Sequence, residues 1–426
     1  MGRRGRSLAA AIGFAFATCA GRAPEEPIDV QLALAVQDLA SGRLDAAREG
    51  VQRARQRDPR HVGAAEWSAV IADLLGDDDL AVREWAAAVQ WARAQGADAA
   101  RLATLRGRLG DLLFRLGRWG ESIEPLQAGA TSGDPERRLA FAAVAQLLPG
   151  ALRPRGPIVI EQPLLPGAVP ELVCGAGDRM RPFAIDTGTS MTTVAKSFAS
   201  ELGVRGVRPA GRAVDGTGRE LSVEVGALPE FMIGEVELGE LPVVIVPDEV
   251  LRLRDFHGGA ERVPRGVLGL DLLTAIRLTL APDRGSVVLE LPRGLPPEQS
   301  VPCVRVDGRL LVPVAIDGAR LWFVLDTGAS HSSLAEAGLL ALPGAASRAV
   351  PTFRRVRAVG GSVVAVREVR DLVLRCGEAR FVDVALPIVA RTGSGLFPVH
   401  GVLGLDLLRL CRLTLDRGRA RILALP

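Results

Sequence analysis

The chain contains no tyrosine, and the only lysine among its 52 cationic residues is Lys196. With alanine and glycine so abundant, this arginine bias reads as genomic composition, not chemistry. Net charge is only +3 over 426 residues, which removes the electrostatic case for nucleic acid. Five cysteines and four histidines show no metal-site spacing and no compact disulfide framework. Without Cys19, four cysteines remain: Cys174, Cys303, Cys376 and Cys411. Two disulfides or four buried thiols are both open.

Long apolar runs are also missing. Leu8 to Ala17 is an apolar stretch broken by Gly13, too short for a membrane-spanning helix. Arg3, Arg4 and Arg6 precede it, so residues 1–20 read as a secretory signal. Cys19 follows Phe16-Ala17-Thr18, which resembles the lipobox before the lipid-modified cysteine of bacterial lipoproteins. The expected location is exported, in the periplasm or cell envelope, with Cys19 as the one route to a membrane.

Residues 24–148 are helical in pattern, rich in alanine, leucine and arginine with apolar residues at three- and four-residue spacing. Three units start around Gly42, Gly76 and Gly117, two of them ending at Asp58-Pro59 and Asp134-Pro135. Glycine at the turn and leucine or an aromatic two residues on resemble tetratricopeptide repeats. The stretch from Gly76 to Gly117 is seven residues longer than the one before it. Trp67, Trp85, Trp91 and Trp119 are expected to fill this core. The scaffold is expected to position a protein partner.

A linker follows at 149–157, dense in proline and glycine. Short valine-rich runs then alternate with turn signals such as Asp307-Gly308 and Asp416-Arg-Gly418. Residues 158–295 and 296–426 are similar to one another. Phe183-Ala-Ile-Asp186-Thr187-Gly188-Thr189-Ser190 matches Phe323-Val-Leu-Asp326-Thr327-Gly328-Ala329-Ser330. Gly266-Val-Leu-Gly269-Leu-Asp271 recurs at Gly401–Asp406, and Arg277-Leu-Thr-Leu280 at Arg412–Leu415. This is a duplicated, mostly-β lobe.

Two carboxylates presented alike by two halves suit activation of one water. Like charges held close cannot both ionise easily, so the pair shares a proton. The ionised member takes a proton from water while the protonated one hydrogen-bonds the scissile carbonyl. Asp186 and Asp326 are the catalytic candidates. Thr187 and Thr327 have hydroxyls to cross-link the loops, Gly188 and Gly328 permit close backbone approach, and Ser190 and Ser330 are further donors. Thr189 has a hydroxyl where Ala329 has none, so Asp186 is expected to ionise more readily. Asp271 and Asp406 are read as helix caps. His257, His331 and His400 have no counterpart in the other lobe and read as surface or supporting residues.

These motifs resemble the retropepsin-like aspartic peptidases, as a tandem of two bacterial aspartyl protease lobes. The resemblance implies a multidomain α plus β chain: an all-α helical repeat, then two acid-protease barrel lobes with the cleft between them. It implies endopeptidase activity on an extended polypeptide, with no cofactor. Pepsin-like enzymes carry a flap tyrosine, which is impossible here. Glycine-rich turns at Asp215-Gly216-Thr-Gly218 and Gly360-Gly361 are the candidate flaps, one per lobe. Two alternatives stand beside this reading. One is a non-catalytic peptide-binding or interaction protein using the helical scaffold. The other pairs lobes between chains instead of within one.

Overall fold

The computed structural model describes residues 26–148, 159–164, 169–215, 218–251, 263–358, 361–390 and 395–425. The signal at 1–20 with Cys19, the linker 149–157, Gly216, His257 and Gly360 lie outside the described residues.

The amino-terminal part is α1 (Ile28–Ala40), α2 (Leu44–Arg57), α3 (Val62–Leu75), α4 (Asp78–Ala94), α5 (Ala99–Arg115), α6 (Trp119–Gly129) and α7 (Pro135–Ala145). Gly42, Gly76 and Gly117 form the turns inside the three helix pairs, with φ of +73°, +74° and +73°. That left-handed conformation is why glycine stands at each. The longer spacing before Gly117 goes mostly into helix: α4 and α5 have 17 residues each, α2 and α3 only 14. Paired helices cross at small residues, and a Cβ on Gly129 would lie 2.3 Å from the Gly107 Cα. Asp77, Asp98 and Asp134 cap α4, α5 and α7. Trp85 and Trp119 are buried as expected, while Trp67 and Trp91 are half-buried.

Each half of the remaining chain is one large sheet. In lobe 1 the strand Arg179–Ile185 runs parallel to Gly266–Leu268, pairing Phe183 with Gly266 and Ile185 with Leu268. In lobe 2, Ala319–Leu325 runs parallel to Gly401–Leu403 in the same register, Phe323 to Gly401 and Leu325 to Leu403. Where they pair, from Phe183 and Phe323 onward, these strands are apolar and buried on both faces. The repeated glycine has a packing reason. A Cβ on Gly266 would stand 2.1 Å from the Phe183 ring, and one on Gly401 2.5 Å from the Phe323 ring. The lobe-2 sheet closes on itself through Ala315↔Arg375 and Ile316↔Leu374. In lobe 1 the described strands form an open order of nine.

A third sheet of six strands joins the lobes. Its centre is the repeated tetrapeptide paired with itself: Leu278↔Leu415, Thr279↔Thr414 and Leu280↔Leu413, antiparallel. The Thr279 and Thr414 hydroxyls are 3.0 Å apart at this pseudo-twofold. Arg277 reaches Asp416 of lobe 2 at 3.7 Å, and Arg412 reaches Asp283 of lobe 1. The lobes therefore pair within one chain. Cys174, Cys303, Cys376 and Cys411 are free and buried, so the thiol alternative is the one the fold contains.

The helical part packs on both lobes. Leu39, Val51 and Leu74 share an apolar cluster with Val304, Trp322, Val324, Ala329 and Phe397 of lobe 2. At the other end, α7 lies on the lobe-1 strands Arg205–Val214 and Glu220–Leu228.

Candidate active site

Each parallel strand pair delivers its aspartate to the same point between the lobes. The Asp186 amide donates to the Leu268 carbonyl (3.2 Å), and the Asp326 amide to that of Leu403 (3.1 Å). Beyond each aspartate the chain turns sharply, and its threonine crosses to the other lobe. The Thr187 hydroxyl donates to the Leu325 carbonyl (2.7 Å) and accepts from the Thr327 amide (3.0 Å). The Thr327 hydroxyl donates to the Ile185 carbonyl (2.7 Å) and accepts from the Thr187 amide (3.1 Å). All six polar groups are buried and satisfied.

The glycines fit against the opposite carboxyl. A Cβ on Gly188 would lie 2.7 Å from the Asp326 carboxyl, and one on Gly328 2.4 Å from that of Asp186. Any side chain there would drive the loops apart. Each glycine amide also donates to its own lobe's aspartate, Gly188 to Asp186 (2.7 Å) and Gly328 to Asp326 (2.9 Å). Thr189 adds a hydroxyl donor to Asp186 Oδ2 at 2.9 Å. Ala329 has none to give and is fully buried.

Asp186 and Asp326 are almost fully buried and hydrogen-bonded to one another. Burial first, then the charge of Asp326, pushes the Asp186 carboxyl up to about 7, against the bonds from Thr189 and Gly188. A proton is thus held in the pair through mildly acidic pH.

The hexapeptide repeat supports the loops from behind. Gly269 and Gly404 occupy the cap positions of the short helices Leu270–Leu273 and Leu405–Leu408, which corrects the reading of Asp271 and Asp406 as caps. Asp271 instead accepts from the Thr192 amide (2.8 Å) and hydroxyl (2.9 Å), and Asp406 from those of Ser332 (both 2.7 Å). The two aspartates also accept from Leu272 and Leu407 amides in the first helical turn. Each therefore ties its helix to the chain leaving the catalytic loop. Burial, against the Thr192 bonds, raises Asp271 to about 6.

The two serines part company, contrary to the symmetric expectation. Ser330 is buried: its amide donates to the Arg357 carbonyl (2.8 Å), and its hydroxyl accepts from the Arg357 amide (2.9 Å). The Ser330 hydroxyl also lies 2.8 Å from His331 Nδ1. Ser190 is exposed and lies against Gly308 of lobe 2. The bulk of Gly308's neighbour and the Arg357 tie left no local signal in the sequence, because both depend on which strand passes the loop. His400 is also supporting, its Nδ1 accepting from the Trp322 amide (2.9 Å).

The described residues of the flap candidates, Asp215, Gly218 and Gly361, sit at hairpin ends. Asp215 closes the lobe-1 hairpin, its carbonyl accepting from Gly218 and its amide donating to Arg219 (both 3.0 Å). Gly361 opens the return strand of the lobe-2 hairpin opposite Ala358. Among the described residues, no cluster of three or more His, Cys, Asp or Glu side chains has the makings of a metal site.

The profile of the aspartyl protease family matches residues 173–272 and 312–407, one match per lobe. Each lobe is therefore similar to the aspartyl protease domain. Among solved structures, MamA AMB-1 is 26% identical over 27% of this chain, with a TM-score of 0.23; the match spans 62% of that protein. The TPR2AB domain of yeast Sti1 in complex with pHSP90 is 21% identical over 27% of this chain and 45% of its own, with a TM-score of 0.25. Basic 7S globulin from soybean is 11% identical, covering 64% of this chain and 95% of that one, with a TM-score of 0.37. No curated protein sequence matches.

Proposed function

We propose that this chain, with two aspartyl protease lobes sharing one pair of carboxylates, is an exported aspartic endopeptidase. The observation that carries the reading is the reciprocal threonine exchange, which sets Asp186 and Asp326 face to face. One carboxylate removes a proton from the water held between them. The resulting nucleophile attacks the peptide carbonyl, whose oxygen takes a hydrogen bond from the protonated partner. The proton then passes to the departing amine. Base and acid are roles of the pair, exchanged through its shared proton.

The substrate is an extended polypeptide, bound through backbone hydrogen bonds along the cleft. Cleavage of a diverse peptide library from pH 3 to 8 tests this. Asp186→Asn and Asp326→Asn are each expected to reduce kcat by at least about 10³-fold, because neither carboxyl works alone. Loss in one variant only, or in neither, would sink the shared dyad. Export rests on residues 1–20, and a chain found in the cytoplasm with them intact would remove that part.

A further inference from the structure

The helical domain touches the two lobes with different ends. The α1 to α3 end buries Leu39, Val51 and Leu74 with lobe 2, including Ala329 beside Gly328 of the catalytic loop. The Gly42 turn packs on Trp322 and Pro398, where a Cβ would come within 3.1 Å of each. At the far end Leu147 reaches Gly206 of lobe 1 so closely that a Cβ there would stand 2.2 Å from its Cδ1. Stacked helix pairs behave as a stiff rod, each pair fixed by the next. A stiff rod seated on both lobes resists their separation.

One polar contact leads from this rod to the site. Asp78 opens α4, next to the Gly76 turn, and its carboxylate accepts from the two terminal guanidinium nitrogens of Arg305, from Nη2 at 3.3 Å. Asp73 lies 3.9 Å from the same group. The Arg305 side chain is largely buried and that of Asp78 about one-third exposed, so this pair is partly shielded from solvent. Arg305 is the middle residue of the strand Val304–Val306, which turns back through Asp307 (φ +51°) and Gly308 (φ +70°). Two successive left-handed residues make a tight, stiff reversal. Gly308 then abuts Ser190, two residues beyond Gly188 in the opposite lobe, with room for no side chain: a Cβ would stand 2.6 Å from the Ser190 Cβ. The Ser190 carbonyl in turn accepts from the Asp271 amide (3.1 Å).

We propose that the helical domain is a strap across the two lobes, and that Arg305, held by Asp78, is a positioning residue for the lobe-1 catalytic loop. This rests on the reading of Asp186 and Asp326 as a catalytic pair. Small displacements of reacting groups are costly, so loosening the turn at Gly308 lowers turnover without removing a substrate contact.

The test uses the full chain with Arg305→Met, Asp78→Asn and Arg305→Lys. Arg55→Met serves as control, since it breaks a pair with Glu84 (3.0 Å) inside the helical domain. Below the melting range, Arg305→Met and Asp78→Asn are expected to lower kcat about tenfold while KM moves less than about twofold. Arg305→Lys is expected to recover part of the loss, and Arg55→Met to leave kcat unchanged. Hydrogen exchange of the 187–191 amides is followed in the same samples and is expected to quicken in Arg305→Met and Asp78→Asn only. Unchanged exchange in both variants overturns the proposal whatever the activity. So does an equal loss in Arg55→Met, which would mean general destabilisation. If the unaltered chain cleaves nothing, the peptidase reading falls, and quickened exchange alone still upholds the strap.

Discussion

Lobe 1 and lobe 2 agree where the carboxyls must be held and differ where they are given separate surroundings. Both use a parallel strand pair, a glycine under a phenylalanine ring, a crossing threonine and a half-buried aspartate behind the loop. The threonines cannot change on one side alone, because each half of their exchange is the other half's partner. Past Gly188 and Gly328 the constraint lapses. Thr189 donates to its aspartate and Ala329 does not. Ser330 is bonded to the hairpin strand Ala349–Ala358, while Ser190 rests on the other lobe. The His331 side chain is held below its ordinary pKa by burial, against the pull of Asp406, with Arg354, Arg357 and Arg409 adding to the depression. Met191 stands at the matching place and does not titrate. Duplication kept what builds the pair and released what tunes each member.

The symmetric part is broken most severely at the threonines. Thr187→Val leaves the Thr327 amide and the Leu325 carbonyl buried without partners, and Thr327→Val does the mirror damage to Thr187 and Ile185. Each orphaned group costs about 1–3 kcal/mol. We expect both variants to melt several degrees lower and to lose about 10²-fold in kcat, through misplaced carboxyls. Thermal melts and steady-state kinetics on the pair check this. A tolerated change in one lobe only would show that the exchange is not reciprocal in the working enzyme.

A middle-sized effect separates burial from pairing. The Asp186 carboxyl sits above its ordinary value beside Asp326, so the folded pair holds a proton that the unfolded chain has released. Stability from this group is full below about pH 4 and is lost as pH rises through about 7. Asparagine has no such proton to lose. Asp186→Asn is therefore expected to melt no higher than the unaltered chain near pH 4 and a few degrees higher near pH 8. Asp326→Asn removes only the neighbouring charge, so burial still holds Asp186 up and the pH dependence shrinks without vanishing. Melts in both variants from pH 4 to 8 decide it; a flat difference for Asp186→Asn would mean that the carboxyl is not raised.

Much of this was legible in the residues. The repeated Phe-x-x-Asp-Thr-Gly and Gly-Val-Leu-Gly runs gave the strand pairs, because each small or aromatic residue has a packing role that recurs. Gly42, Gly76 and Gly117 located the helix-pair turns, since only a left-handed turn asks for glycine at that spacing. The misreading of Asp271 has a physical source. An aspartate at a helix start looks like a cap, and nothing local says that Thr192, 79 residues earlier, will claim its carboxylate. The same holds for Arg305. A lone arginine in a short strand carries no sign of Asp78, which lies 227 residues away. Local pattern reports the elements; contacts between domains depend on how those elements are finally stacked.

The smallest effect is the sharpest probe of the difference between lobes. The Thr189 hydroxyl donates to Asp186 Oδ2 at 2.9 Å, a bond that favours the ionised form. Lobe 2 has no such donor at Ala329, so in the singly ionised pair the charge is favoured on Asp186. Thr189→Ala removes that preference. The first proton then leaves less easily, and the acidic limb of the kcat/KM profile is expected to move to higher pH by about one unit, the lower end of what one hydrogen bond to a charged group supplies. The alkaline limb should stay nearly in place, because the singly and doubly ionised states lose the same bond. Profiles of the two proteins on one peptide suffice. An unmoved acidic limb would mean that the charge is shared evenly despite the hydroxyl, and the two lobes would then be equivalent in chemistry as well as in fold.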